Sequence, residues 1–147
     1  MIYQRFLSGL FLGAAASIDL KCRKVYIQLA AGYFLLALSG HLLHREQGII
    51  FYLTGILPGL FCLTVSWISR EGLGYGDSLM VLICGLSLGF SRTVILVSAA
   101  FFFAALLSIF LLSLGKADRK TQLPFLPFLF LADMLWEILS WLGSGAL

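Results

Sequence analysis

A chain of 147 residues that is 61% hydrophobic and 12% charged, with a mean hydropathy of +1.01, excludes an ordinary soluble domain; such domains are about half apolar and a quarter charged. Because a membrane helix needs about 20 residues, this length predicts an all-α, six-span bundle with very short loops and no separate soluble domain. The net charge of +3 sits in loops, where it bears on topology and the lipid surface and excludes a nucleic-acid footprint.

Taken in order, the apolar segments predict span one at Tyr3–Leu20 and span two at Val25–Leu43. Span three follows at Ile49–Ser69, span four at Asp77–Phe90, span five at Thr93–Leu114 and span six at Leu123–Leu142. The amino end (Arg5, an apolar run to Leu12, then Gly13-Ala14-Ala15-Ala16) has some features of a cleavable signal. Its single basic residue, and small residues that equally suit helix packing, favour a retained first span. Span four, at about 14 residues and roughly 21 Å, is shorter than the hydrocarbon core of about 30 Å. Small residues recur four apart at Gly9 and Gly13, Gly55 and Gly59, and Gly85 and Gly89, ridges that let backbones approach closely in lipid. They are expected to pack spans one, three and four together, and Pro58 is expected to kink span three.

Basic residues set the orientation. Seven lie in the one–two, three–four and five–six loops (Lys21, Arg23, Lys24, Arg70, Lys116, Arg119, Lys120), against three (Arg5, Arg45, Arg92) on the other face. Both chain ends are therefore expected outside. The same count places Asp19, which closes span one, and Asp77, which opens span four, at one cytoplasmic membrane face.

An ionisable group at membrane depth is costly and reads first as functional, with a partner to be named. Asp77 follows three alternating glycines in Gly72-Leu73-Gly74-Tyr75-Gly76-Asp77, and Asp19 is its expected partner. Two adjacent carboxylates cannot easily both ionise, so one holds a proton while the other is charged. That supplies the base that activates water and the acid that protonates a leaving amine. Gly74 and Gly76 allow close approach of an extended substrate backbone, and allow loop conformations closed to other residues.

These residues carry a family resemblance. Gly74-Tyr75-Gly76-Asp77 matches the GxGD motif of intramembrane aspartyl proteases. An Asp closing span one before basic residues (Ile18-Asp19-Leu20-Lys21-Cys22-Arg23-Lys24-Val25), and a Pro-Phe-x-Pro-Phe start to the last span (Pro124 to Phe128), resemble the type IV prepilin peptidases. The chain is most similar to their short, tight-adherence (Flp) form. The resemblance implies a catalytic pair of Asp19 and Asp77, with Gly74 and Gly76 as motif glycines. It implies removal of a short basic leader from a prepilin or pseudopilin at the cytoplasmic face of a bacterial cell (inner) membrane. No metal or cofactor is expected. Longer relatives also methylate the new amino end through a cysteine-containing cytoplasmic region; without CxxC pairs or such a region, methyl transfer is not expected here. The chain departs from the family at Val25-Tyr26-Ile27, where Ile-Pro-Asn is common, and at Ser78-Leu79, where Val-Lys is usual.

Other polar residues have plainer readings. Asp133 and Glu137, four apart in span six, form a rival carboxylate pair. The expectation is a protonated, hydrogen-bonded Asp133, with Glu137 near the outer interface beside Trp136 and Trp141. His41, His44 and Glu46 read as interfacial rather than metal-binding, and the Lys116–Lys120 cluster as a topology signal. Cys62 and Cys84 read as small hydrophobes, and Cys22, between Lys21 and Arg23, as the one cysteine with basic neighbours. Two other functional classes stay open: a small proton-coupled transporter or channel subunit relaying protons through Asp133, Glu137 and Asp77, and an inactive pilus-assembly scaffold.

Overall fold

A computed structural model describes residues 2–22, 30–35, 48–69, 73–115 and 124–144. His41, His44, Glu46, Gly72 and the Lys116–Lys120 cluster lie outside the described residues. What is described is helical: α1 (Ile2–Cys22), α2 (residues 30–35), α3 (Ile49–Ile68), α4 (Tyr75–Leu88), α5 (Phe90–Ser113) and α6 (Leu126–Ser144). In an apolar solvent a helix satisfies its backbone groups within its own segment, which suits the long apolar runs of this chain.

Among the described residues, three helices are long and apolar enough to cross a membrane: Ile49–Ile68, Phe90–Ser113 and Leu126–Gly143. Ser8–Asp19 and Tyr75–Leu88 are shorter apolar helices. Of the six expected spans, then, three meet the length and hydropathy of a crossing helix in the described residues. The fourth segment has the 14 residues expected of it, but begins at Tyr75, two residues before Asp77.

Helices α3 and α4 form the most extensive pairing, and α6 packs between α1 and α5. Helix α5 also meets α3 and α4, whereas α1 meets α4 over a small area. Glycine explains the closeness of α3 and α4. A Cβ on Gly55 would overlap the backbone carbonyl of Gly85, one on Gly85 would overlap that of Gly55, and one on Gly59 would overlap Leu82. The first ridge behaves differently from its expectation. Gly9 faces Met134 and Asp133, and Gly13 lies against the Phe130 ring, so α1 uses its small residues against α6 rather than against α3 and α4.

Helices α4 and α5 are joined by Gly89 alone, which ends one and starts the other at φ 78° and ψ 173°. Only glycine adopts this backbone without strain, and a side chain there would also overlap the Phe51 ring. This short joint places Phe90, Ser91 and Arg92 inside α5, where the sequence alone starts the span at Thr93.

The interior is filled by Leu12 of α1, Tyr33 of α2, Met80 and Val81 of α4, Leu96 of α5, and Leu126 and Leu129 of α6. Phe11 stacks on Tyr33 with ring centroids 5.0 Å apart, and Phe101 meets Phe125 at 4.9 Å. The second contact fixes the Pro-Phe segment that opens α6 against α5. Helix α3 continues through the buried Pro58, which leaves the Thr54 carbonyl without its usual helical donor.

Candidate active site

Asp77 stands in the first turn of α4, whose N-cap is Gly74. A carboxylate there faces the unpaired N–H groups and positive end of the helix. Two serines fix the backbone around it. Buried Ser66 of α3 donates its hydroxyl to the Leu73 carbonyl, holding Leu73 against α3. Buried Ser78 donates to the Gly74 carbonyl at 3.2 Å, beside the Ser78 N–H to the same oxygen at 3.1 Å. Ser78, a departure from the family's usual valine, thus closes the first turn of α4. Leu79, where lysine is usual, is 38% exposed and faces away from the interior.

Gly74 has φ −60° and ψ 138°, a backbone open to any residue. The expectation of an unusual loop conformation at this glycine is therefore corrected: its φ does not call for glycine. A Cβ at position 74 would stand 3.0 Å from Asp77 Oδ2. The carboxylate folds back over the N-cap, tight against the place a side chain would take. Gly76 lies within the first turn of α4, half-buried.

Asp19 sits near the carboxyl end of α1 and is only 5% exposed. Its carboxylate accepts a hydrogen bond from the backbone N–H of Leu126, the first residue of α6. The sequence of this segment explains why that N–H is free. Phe125 caps the helix, its carbonyl accepting from the N–H groups of Phe128 and Leu129, and Pro127 has no N–H to offer. Proline is well tolerated in a first turn, where its missing donor would be unpaired anyway. The Pro-Phe-x-Pro-Phe element thus supplies Asp19 with a donor. The second oxygen, Oδ2, is buried with no hydrogen-bond partner among the described residues.

Asp19 and Asp77 come from separate helices and interact electrostatically at one end of the bundle. Asp77 is the more accessible of the two, half-buried where Asp19 is buried. No group of three or more metal-ligating side chains occurs among the described residues.

The second acidic pair proves to have a cation. Arg92, in the first turn of α5, places Nη2 2.9 Å from Asp133 Oδ1 and also contacts Glu137 Oε1. Arg92 is 9% exposed and Asp133 is fully buried. The hydrogen-bonded Asp133 expected from the sequence has Arg92 as its donor, and the two acids hold the guanidinium between them. Tyr33 lies beside the same cluster, within reach of Ser87, Cys84 and Asp133. Arg92 is the residue that sequence reading missed, because it was counted among the outer loop charges. The signal was there in Asp133 and Glu137, two acids one helical turn apart in an apolar segment, an arrangement that calls for a cation.

The family model described as the type IV leader peptidase family matches residues 6–109. That span is more than half of the chain, and the chain belongs to this family. Together with its apolar helices, this makes it a multi-pass membrane protein of the peptidase class. The match takes in Asp19, Gly74, Gly76 and Asp77 and ends within α5, so Asp133 and Glu137 lie beyond it. Neither the curated proteins nor the solved structures give a match.

Proposed function

We propose that this protein is an intramembrane aspartyl endopeptidase that removes a short basic leader from prepilin-like substrates, with Asp19 and Asp77 as its catalytic pair. What supports the reading is the electrostatic interaction of these carboxylates, one on α1 and one on α4, in a chain of the type IV leader peptidase family. The pair shares one proton, so that one carboxylate activates the water while its protonated partner supplies the proton to the leaving amine. In a coupled pair these roles exchange during turnover, as the proton passes between the acids.

The rest of the reading follows from the sequence. The chain is one polytopic domain of six spans, in a bacterial inner membrane with both ends outside, and the pair opens to the cytoplasmic face. The apolar segment of the substrate lies against the bundle, with its scissile bond at the rim. Cleavage proceeds without methyl transfer, since no CxxC pair or soluble insert separates the apolar segments. The proton-relay alternative loses its main support, because Asp133 and Glu137 are engaged by Arg92 rather than arrayed along a path.

The test uses cells that express a prepilin together with this chain, following leader removal by gel shift. Asp19→Asn and Asp77→Asn, each retaining shape, are expected to abolish processing while the protein still accumulates in the membrane. Processing by both variants would contradict the assignment.

A further inference from the structure

Arg92 is a buried cation that the peptidase chemistry does not use, and its place in the chain is specific. It lies three residues after Gly89, the single-residue joint between α4 and α5. Its guanidinium reaches Asp133 and Glu137, both on α6. Helix α6 in turn begins with the N–H that Asp19 accepts, and its Asp133 turn is the one that Gly9 of α1 packs against. Asp19 thus belongs to the α1, α5 and α6 side of the bundle. Asp77 belongs to α4, which pairs mainly with α3.

From the structure we infer that Arg92 is a positioning residue: by tying the α4–α5 joint to α6, it fixes Asp77 relative to Asp19. Its consequence for catalysis rests on the peptidase reading; the geometric clamp does not. Direct contact between α1 and α4 is small, so the two acids are registered largely through the other helices. Asp77 lies 12 residues from Gly89, about 18 Å along α4 at 1.5 Å per residue. A tilt of about 10° at that joint would carry Asp77 about 3 Å from its place. A single nitrogen, Nη2, meets both carboxylates one helical turn apart, and Nε has no partner among the described residues, so the tie is the buried positive charge shared by the two acids. Without the cation, Asp133 would be fully buried with neither oxygen paired by Arg92, and the joint would lose its tie.

The experiment uses the full chain in phosphatidylethanolamine–phosphatidylglycerol liposomes, with Cys22, Cys62 and Cys84 changed to Ala. Spin labels at Ser17→Cys on α1 and Leu79→Cys on α4 report the separation of the two halves by pulsed dipolar spectroscopy. The unlabelled chain is assayed on a prepilin-like peptide. Arg92→Met is expected to shift or broaden the label distances by about 3 Å. It should lower kcat by about 10- to 100-fold while KM stays within about twofold. Arg92→Lys should recover part of both changes. Parent-like distances and kcat in Arg92→Met would overturn the inference, as would a loss confined to KM. If Arg92→Met does not fold into the membrane, Arg92→Gln, which keeps a donor without the charge, decides: a kcat loss of about threefold or more with broadened distances supports the clamp, and parent-like values overturn it. A parent chain that cleaves no leader peptide would contradict the peptidase reading, and the label distances would still decide the clamp.

Discussion

At the scale of single residues, the site is governed by where carboxylates can be accommodated in an apolar chain. Asp77 uses the positive end of α4 and the space left by a missing side chain; Asp19 uses a backbone donor left free by the proline-containing start of α6. The glycine makes a clear prediction. In Gly74→Ala the new Cβ forces the Asp77 carboxylate to move by a few tenths of an ångström, without straining the backbone. The expected result is a fall in kcat of about tenfold, with KM and thermal unfolding unchanged, measured on the purified chain in liposomes. The two aspartates were legible in the sequence because charges at membrane depth stand out against a background that is 61% hydrophobic. The reason for Gly74 was not legible: four letters of a motif do not say whether a glycine serves a backbone angle or a neighbour's side chain.

At the scale of helices, close approach of backbones holds α3 to α4. Lipid removes the hydrophobic driving force between helices, so their association depends on packing. Gly55 and Gly85 are each other's limiting contact. Gly85→Ala is therefore expected to destabilise the protein by about 1–3 kcal/mol, read by detergent-denaturant unfolding. Gly143→Ala, with nothing within 4 Å, should stay within about 0.5 kcal/mol of the parent. The spacing of small residues announced these ridges, but spacing cannot name the surface that a ridge meets. Gly9 and Gly13 were expected against spans three and four, and lie instead on α6. Arg92 was hidden for a related reason. A loop of ordinary length would have left it outside the helix; a joint of one glycine pulls it into the first turn of α5 and into reach of Asp133 and Glu137.

At the scale of the whole molecule, two groups of helices each carry one acid of the proposed pair, and Arg92 ties the α4–α5 joint to α6. The all-helical class was legible from composition, whereas the described residues show membrane-crossing length in three helices rather than six. Orientation can be checked directly. In cells expressing the chain with Cys22, Cys62 and Cys84 changed to Ala, Gly48→Cys is expected to react with an impermeant thiol reagent from outside, and Leu114→Cys only after the membrane is permeabilised; the reverse pattern would put the pair on the wrong face. The central claim, that Asp19 and Asp77 act as one catalytic unit, is tested most directly by kcat/KM for leader removal in Asp19→Asn, Asp77→Asn and the double variant. Residues that act as a unit are strongly non-additive, so each single variant should lose about as much activity as the double. Losses that multiply, or a single variant with nearly parental activity, would contradict it.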